Sequence, residues 1–212
     1  MAGFVLQSRQ VTGYAGGMQP GTTIFEHMSG LARAHDAINL GQGFPDFGWP
    51  ESVLAAGAEA IVHGNNQYPP MRGLPDLRGA VAAFYARRQG LAVAPEQVII
   101  TSGATEALAA SIMAVAGPGD EVILFAPAYD AYAPLVRRAG ARPVWVQLQP
   151  PDWQATAAAM AAAITPATRA ILLNTPHNPT GAIASPAMID AITDLARRHD
   201  LVIISDEVWE EV

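Results

Sequence analysis

Four short runs carry side chains that could do chemistry, and each directly follows an apolar segment. The first is TSGATEA, Thr101 to Ala107. Gly103 permits a tight turn into a helix, and the unpaired amides and positive dipole end of that helix suit a phosphate, with Ser102 and Thr105 adding hydroxyls. The same letters also read as a capping box, with Ser102 as N-cap and Thr105 and Glu106 in the first turn. The second run is APAYDAY, Ala126 to Tyr132, where Tyr129 could lay its ring on a planar ligand. Tyr129 and Tyr132, three apart, equally describe a core stripe on a helix. The third is NTPHNPTG, Asn174 to Gly181. Its two Asn are held in a Pro-rich loop and can donate to a phenolic or carboxylate oxygen, although Asn, Pro and Gly are also ordinary turn residues. The fourth is SDEVWEE, Ser205 to Glu211, in which Asp206 ends the apolar run LVII. A carboxylate buried there needs a cationic partner, either a metal-bound nucleotide or a protonated pyridine nitrogen.

The elements that must position these runs follow from periodicity. Residues 1–50 are rich in Gly and interrupted by Pro20, Pro45 and Pro50, and read as an extended arm around one short helix near 24–35. Helices are expected at 51–63 and after Pro75, the latter with Leu77, Val81, Phe84 and Tyr85 on one face. Strands are then expected at 97–101, 121–126, 143–148, 170–174 and 201–205. Helices at 104–116, 130–140, 153–164 and 187–199 alternate with them. Continuous Val/Ile/Leu runs between helices indicate an α/β fold with a mainly parallel sheet and helices on both faces. Ligands of such sheets sit at the carboxyl ends of the strands, where all four runs fall.

Composition narrows the alternatives. The chain has 212 residues, a formal charge of −7 and 15% charged residues. The acidic balance argues against a nucleic-acid partner. There is no Cys, which removes disulfides and thiolate metal sites and fits a reducing compartment. No metal site is expected. Neither a signal peptide nor a membrane span is read, since no run approaches the roughly 20 apolar residues a span needs. All 12 basic residues are Arg, so there is no Lys. A Walker-type nucleotide site is thereby excluded, and GQGFPD does not fit the dinucleotide fingerprint.

Taken together with INLGQGFPDF (Ile38 to Phe47) and NQYPPMRGLPDLR (Asn65 to Arg78), the four runs resemble the class I/II aminotransferases that use pyridoxal 5'-phosphate (PLP). These are fold-type-I enzymes, and the similarity is greatest to the branch of kynurenine/glutamine and methionine aminotransferases. The resemblance implies an N-terminal arm over residues 1–46 and an incomplete PLP-binding large domain over 47–212. It implies that Gly103, Ala104 and Thr105 hold the cofactor phosphate. Tyr129 would stack on the pyridine ring and Asp206 pair with its nitrogen. Asn178 would donate to the phenolate oxygen and, with Asn174, help to hold the substrate carboxylate. Tyr68 would reach the phosphate of a second subunit's site, which implies a homodimer. Gly43 would lie near the substrate carboxylate, and Phe25 would line the substrate pocket. At the position where the family usually has a cofactor-contacting Tyr, this chain has Trp209, whose indole donates but cannot accept.

The family's Schiff-base lysine and its phosphate- and carboxylate-binding arginines follow the SDE run, beyond Val212. The expected function is therefore that of a cytoplasmic aminotransferase acting on amino acids and 2-oxo acids. It is present here as a fragment that is inactive by itself and without a catalytic residue of its own. Elimination on cysteine conjugates, or a non-catalytic binding or dimerising role for a short product, are the alternatives. The resemblance also implies that two further strands belong between those expected at 201–205 and 97–101.

Overall fold

The computed structural model describes residues 23–41, 43, 47–64 and 66–211. The chain divides into two units, residues 1–67 and 68–212, whereas the family resemblance implies a boundary at 46/47.

In the first unit, α1 (Ile24–Ala34) starts where the Thr23 hydroxyl accepts from the Glu26 amide at 3.2 Å. The second helix, α2 (Glu51–His63), follows Pro50. Neither helix buries a residue.

The second unit holds the sheet. Helix α3 (Pro75–Gln89) has Pro at its first turn and ends at Gly90, whose φ of +68° is the left-handed conformation that glycine adopts at low cost. Ala82 is the one fully buried residue of this helix; Val81, Phe84 and Tyr85 are half-buried and Leu77 is 45% exposed, so the apolar face expected from the sequence is partly covered. Helices α4 (Gly103–Val115), α5 (Tyr132–Arg138), α6 (Ala157–Ala163) and α7 (Pro186–His199) alternate with strands β1 (Glu121–Ala126), β2 (Arg142–Gln147), β3 (Thr168–Asn174) and β4 (Val202–Asp206).

All neighbours in the sheet are parallel, in the order β2-β1-β3-β4. Alternate side chains of each strand point to opposite faces, so each apolar run feeds two cores. Val122 and Leu124 pack with Leu108, Ile112, Val136 and Leu172 on the side of α4 and α5. Ile123 and Phe125 pack with Met160, Ile171, Ile192 and Leu195 on the side of α6 and α7. The inner strands β1 and β3 are buried on both faces, as a continuous apolar run requires.

The expected strand at 97–101 is not formed. Pro95–Gln97 is a 3₁₀ turn and Val98 is extended, but the segment pairs with no strand. Its backbone bond runs instead from the Ile100 amide to the Arg72 carbonyl, 3.1 Å. The sequence preference for extended backbone is kept while the ladder partner is missing from the described residues. Helices α5 and α6 are also shorter than expected. Trp153 takes a φ of +52°, and the Thr156 hydroxyl caps α6 by accepting from the Ala159 amide at 3.1 Å. Among the described residues, no helix is long and apolar enough to cross a membrane.

Candidate active site

The carboxyl ends of β1, β3 and β4 and the start of α4 converge on a cavity of about 260 Å³. Its walls include Ala104, Thr105, Tyr129, Asn174, Asn178, Asp206 and Trp209, so most of the residues expected at a site meet there.

The floor is built by register. Asn174 and Asp206 end β3 and β4 as paired residues. Both are buried, at 5% and 8% exposure. The Asp206 carbonyl accepts from the Thr175 amide at 3.1 Å and from Asn174 Nδ2 at 2.9 Å. Asn174 Oδ1 accepts from the Asn178 amide at 2.7 Å. Asn174 therefore uses both ends of its amide to fold the NTPHNPTG loop against Asp206, and one Nδ2 hydrogen remains for a ligand. Asn178 is half-buried, and its own side-chain amide makes no hydrogen bond among the described residues.

Among the described residues the Asp206 carboxylate has two donors, both neutral. The Tyr132 hydroxyl donates to Oδ2 at 2.7 Å, and the Val208 amide to Oδ1 at 3.2 Å. No Arg or His forms an ion pair with it among the described residues. A buried anion with neutral partners alone is costly unless a cation joins it. Tyr132 is 3% exposed. Burial first, then its bond to Asp206, raises the pKa of the phenol far above the ordinary tyrosine value. It is a neutral donor at physiological pH.

One wall is Tyr129, half-buried, whose ring meets that of Tyr132 edge-on at 5.5 Å between centroids and 80° between planes. Opposite lies the first turn of α4. Gly103 opens it with a φ of +80°, a conformation that strains any residue with a Cβ. Gly103, Ala104 and Thr105 are exposed, and the first amides of a helix have no partner within it. Ser102 occupies the N-cap position, yet its hydroxyl caps nothing. Glu106 turns back to accept from the Ser102 amide, so only half of the expected capping box is present.

Trp209 is 43% exposed and stands between this cavity and an adjoining cleft of about 370 Å³ lined by Pro176, His177, Asn178, Pro179 and Gly181. His177, not expected at the site, is buried beneath the loop with Nδ1 2.8 Å from Thr180 Oγ1. Burial lowers its pKa below the ordinary imidazole value.

Within the second unit, Gly103 and Tyr68 do not line this cavity. Tyr68 is 98% exposed. Phe25, half-buried in α1, and Gly43, exposed, belong to the first unit. The contact most hidden from the sequence is Tyr132 to Asp206. The YDAY spacing predicts neighbours on a helix, and nothing local announces a partner 74 residues away.

The donor set fits PLP. A helix start with free amides suits a dianionic phosphate, an aromatic wall suits a pyridine ring, and an anion without a cation suits a protonated ring nitrogen.

The comparisons agree. The chain is 47% identical over 194 residues to the probable N-succinyldiaminopimelate aminotransferase DapC of Mycobacterium tuberculosis, covering 90% of this chain and 49% of that protein. It is 43% identical over 195 residues to the methionine aminotransferase of Escherichia coli, covering 92% and 50%. The solved structure of the Mycobacterium tuberculosis N-succinyldiaminopimelate aminotransferase superposes with a TM-score of 0.86 over 90% of this chain and 50% of that one. The chain thus spans about half the length of the curated relatives it matches. The family described as aminotransferase class I and II matches residues 35–212, most of the sequence, and the chain belongs to that family.

Proposed function

We propose that the protein to which these residues belong is a PLP-dependent aminotransferase, moving an amino group between an amino acid and a 2-oxo acid. The observation that carries the proposal is the buried Asp206 carboxylate, which has only neutral donors and borders a cavity whose other walls are Tyr129 and the start of α4. When bound, the cofactor's ring supplies an electron sink for the carbanion formed at the substrate α-carbon.

The chain's own residues would do the following. Gly103, Ala104 and Thr105 hold the phosphate through the α4 amides and the Thr105 hydroxyl. Tyr129 flanks the ring. Asp206 holds the proton on the ring nitrogen. Asn178, with its side-chain amide free, donates to the ring's phenolate oxygen. Asn174 orients the loop that carries Asn178 and offers its remaining hydrogen to the substrate carboxylate. Phe25 and Gly43 belong to the substrate side of the site. The covalent anchor is a lysine from outside these 212 residues, which contain none. Tyr68, almost wholly exposed, is available to a second copy, which supports a homodimer with shared sites. The Cys-free sequence suits the cytoplasm.

The relatives are named for different donors, among them N-succinyldiaminopimelate, methionine and kynurenine, so the proposal concerns the reaction class. The full-length protein, loaded with PLP and offered a panel of amino acids with 2-oxo acids, is expected to form the matching new amino acid. No transfer from any donor at saturating cofactor would sink the proposal.

Trp209 yields a further expectation. Its indole lies at the cavity wall and donates to nothing among the described residues, so the phenolate gains from it none of the stabilisation that a tyrosine hydroxyl within reach would give. Trp209→Tyr in the full-length protein should lower the pH midpoint at which the bound cofactor's visible absorption changes, because a donor to the ionised oxygen favours that form. Superimposable titrations of the two proteins would refute it.

A further inference from the structure

The geometry points to Tyr132 as a positioning residue that sets the ring-nitrogen partner and the stacking wall together. The inference rests on the reading of Asp206 as that partner. Tyr132 touches both groups: its hydroxyl meets Asp206 Oδ2 at 2.7 Å, and its ring meets Tyr129 edge-on. It is itself fixed by the core on the α4 and α5 side of the sheet, packed with Leu108, Ile112 and Val136. The core thus reaches the site through one rigid ring.

The hydroxyl has two effects. It restrains the rotation of the carboxylate, whose other donor among the described residues is the Val208 amide at 3.2 Å. It also favours the charged carboxylate, so that a proton shared with a ring nitrogen stays on the nitrogen. Removing the donor moves that proton towards Asp206. Tyr132 touches no reacting atom, and its influence passes through Asp206 and Tyr129.

The test uses the full-length protein loaded with PLP labelled with ¹⁵N in the ring. Tyr132→Phe keeps the ring and removes the hydroxyl. It is expected to lower kcat by about 10- to 100-fold, the range seen when a group that orients a ligand-bearing residue is lost. KM should move little, and the ¹⁵N signal should shift towards that of an unprotonated pyridine. Tyr132→Leu, which also removes the edge-on contact, should in addition weaken cofactor binding, as measured by equilibrium dialysis.

An unchanged ¹⁵N signal in Tyr132→Phe overturns the inference, whether or not the thermal midpoint falls, because a merely structural role would move only the midpoint. Equal cofactor binding by the Phe and Leu variants overturns the part concerning Tyr129. Asp206→Asn serves as the control. If it too leaves the ¹⁵N signal unchanged, the underlying reading of Asp206 fails. If it shifts the signal while Tyr132→Phe does not, the role of Tyr132 alone fails.

Discussion

Asp206→Asn in the full-length protein is expected to lower turnover by roughly 10²- to 10³-fold, the scale on which a single electrostatic partner aimed at developing charge contributes. Cofactor affinity should fall much less. The substitution is nearly isosteric, and the main-chain bonds that fix the site survive it, since Thr175 and Asn174 donate to the backbone carbonyl and not to the side chain. The new amide has one oxygen where the carboxylate had two. That oxygen can accept from the Val208 amide, while the Tyr132 hydroxyl can rotate to accept from the new NH₂ group. Folding is therefore little disturbed. What is lost is the negative charge that keeps a ring nitrogen protonated, a loss felt most where charge develops. Steady-state kinetics at saturating PLP, beside a dialysis measurement of cofactor binding, separate the two quantities. Near-normal turnover would show that Asp206 is not the ring partner.

The second large effect concerns the 212-residue chain expressed by itself, which is expected to aggregate or to remain without a cooperative fold. Strand β4 has β3 on one side and, among the described residues, no strand on the other. Val202 and Ile203 on it are 44% and 38% exposed. The 98–101 segment joins no strand, and Ile99 is 60% exposed. Beside the end of β4 is a cleft of about 650 Å³ that reaches Leu108 and Ile204 from the surface. Apolar edges without a Pro, a bulge or an inward charge are templates for association. Each backbone group left buried and unpaired costs about 1–3 kcal/mol, against a whole-domain stability of about 5–15 kcal/mol. The start of α4 hangs on the 98–101 segment, so cofactor binding should fail with it. Size-exclusion chromatography, thermal melting and binding of an apolar dye test this. A monodisperse species with a sharp thermal transition would contradict it.

The parts of the fold that were legible in the sequence are those whose signal is local. The EVILFA run and β1 coincide, and the sheet-facing alternation of Val122/Leu124 with Ile123/Phe125 follows from strand geometry alone. Helix α2 has the expected limits. The strand expected at 97–101 failed because apolar, β-branched residues specify extended backbone, whereas a ladder needs a neighbour that a local pattern does not supply. Helix α6 is shorter than its alanine content favours because Thr156, visible in the sequence, caps it and sets its start. Within the site, the strand-end runs identify Asn174, Asn178, Tyr129 and Asp206, because buried parallel strands must end where ligands bind. The couplings among them were not legible. That Asn174 holds the loop, that Glu106 takes over the Ser102 amide, and that Tyr132 reaches Asp206 from within the core are consequences of tertiary packing.

The strand order has a kinetic consequence. In β2-β1-β3-β4 no two neighbours are joined by a hairpin; every pairing spans at least one helix, and that of β1 with β3 spans α5, β2 and α6. Such pairings close long loops before any contact repays them, so folding is slow compared with that of a helical bundle of similar size. During synthesis β1 emerges with two apolar faces and one free edge well before β3 exists to cover that edge. The chain's most aggregation-prone moment therefore falls between the appearance of Ala126 and that of Thr168, when a chaperone holding extended apolar segments would have most to protect.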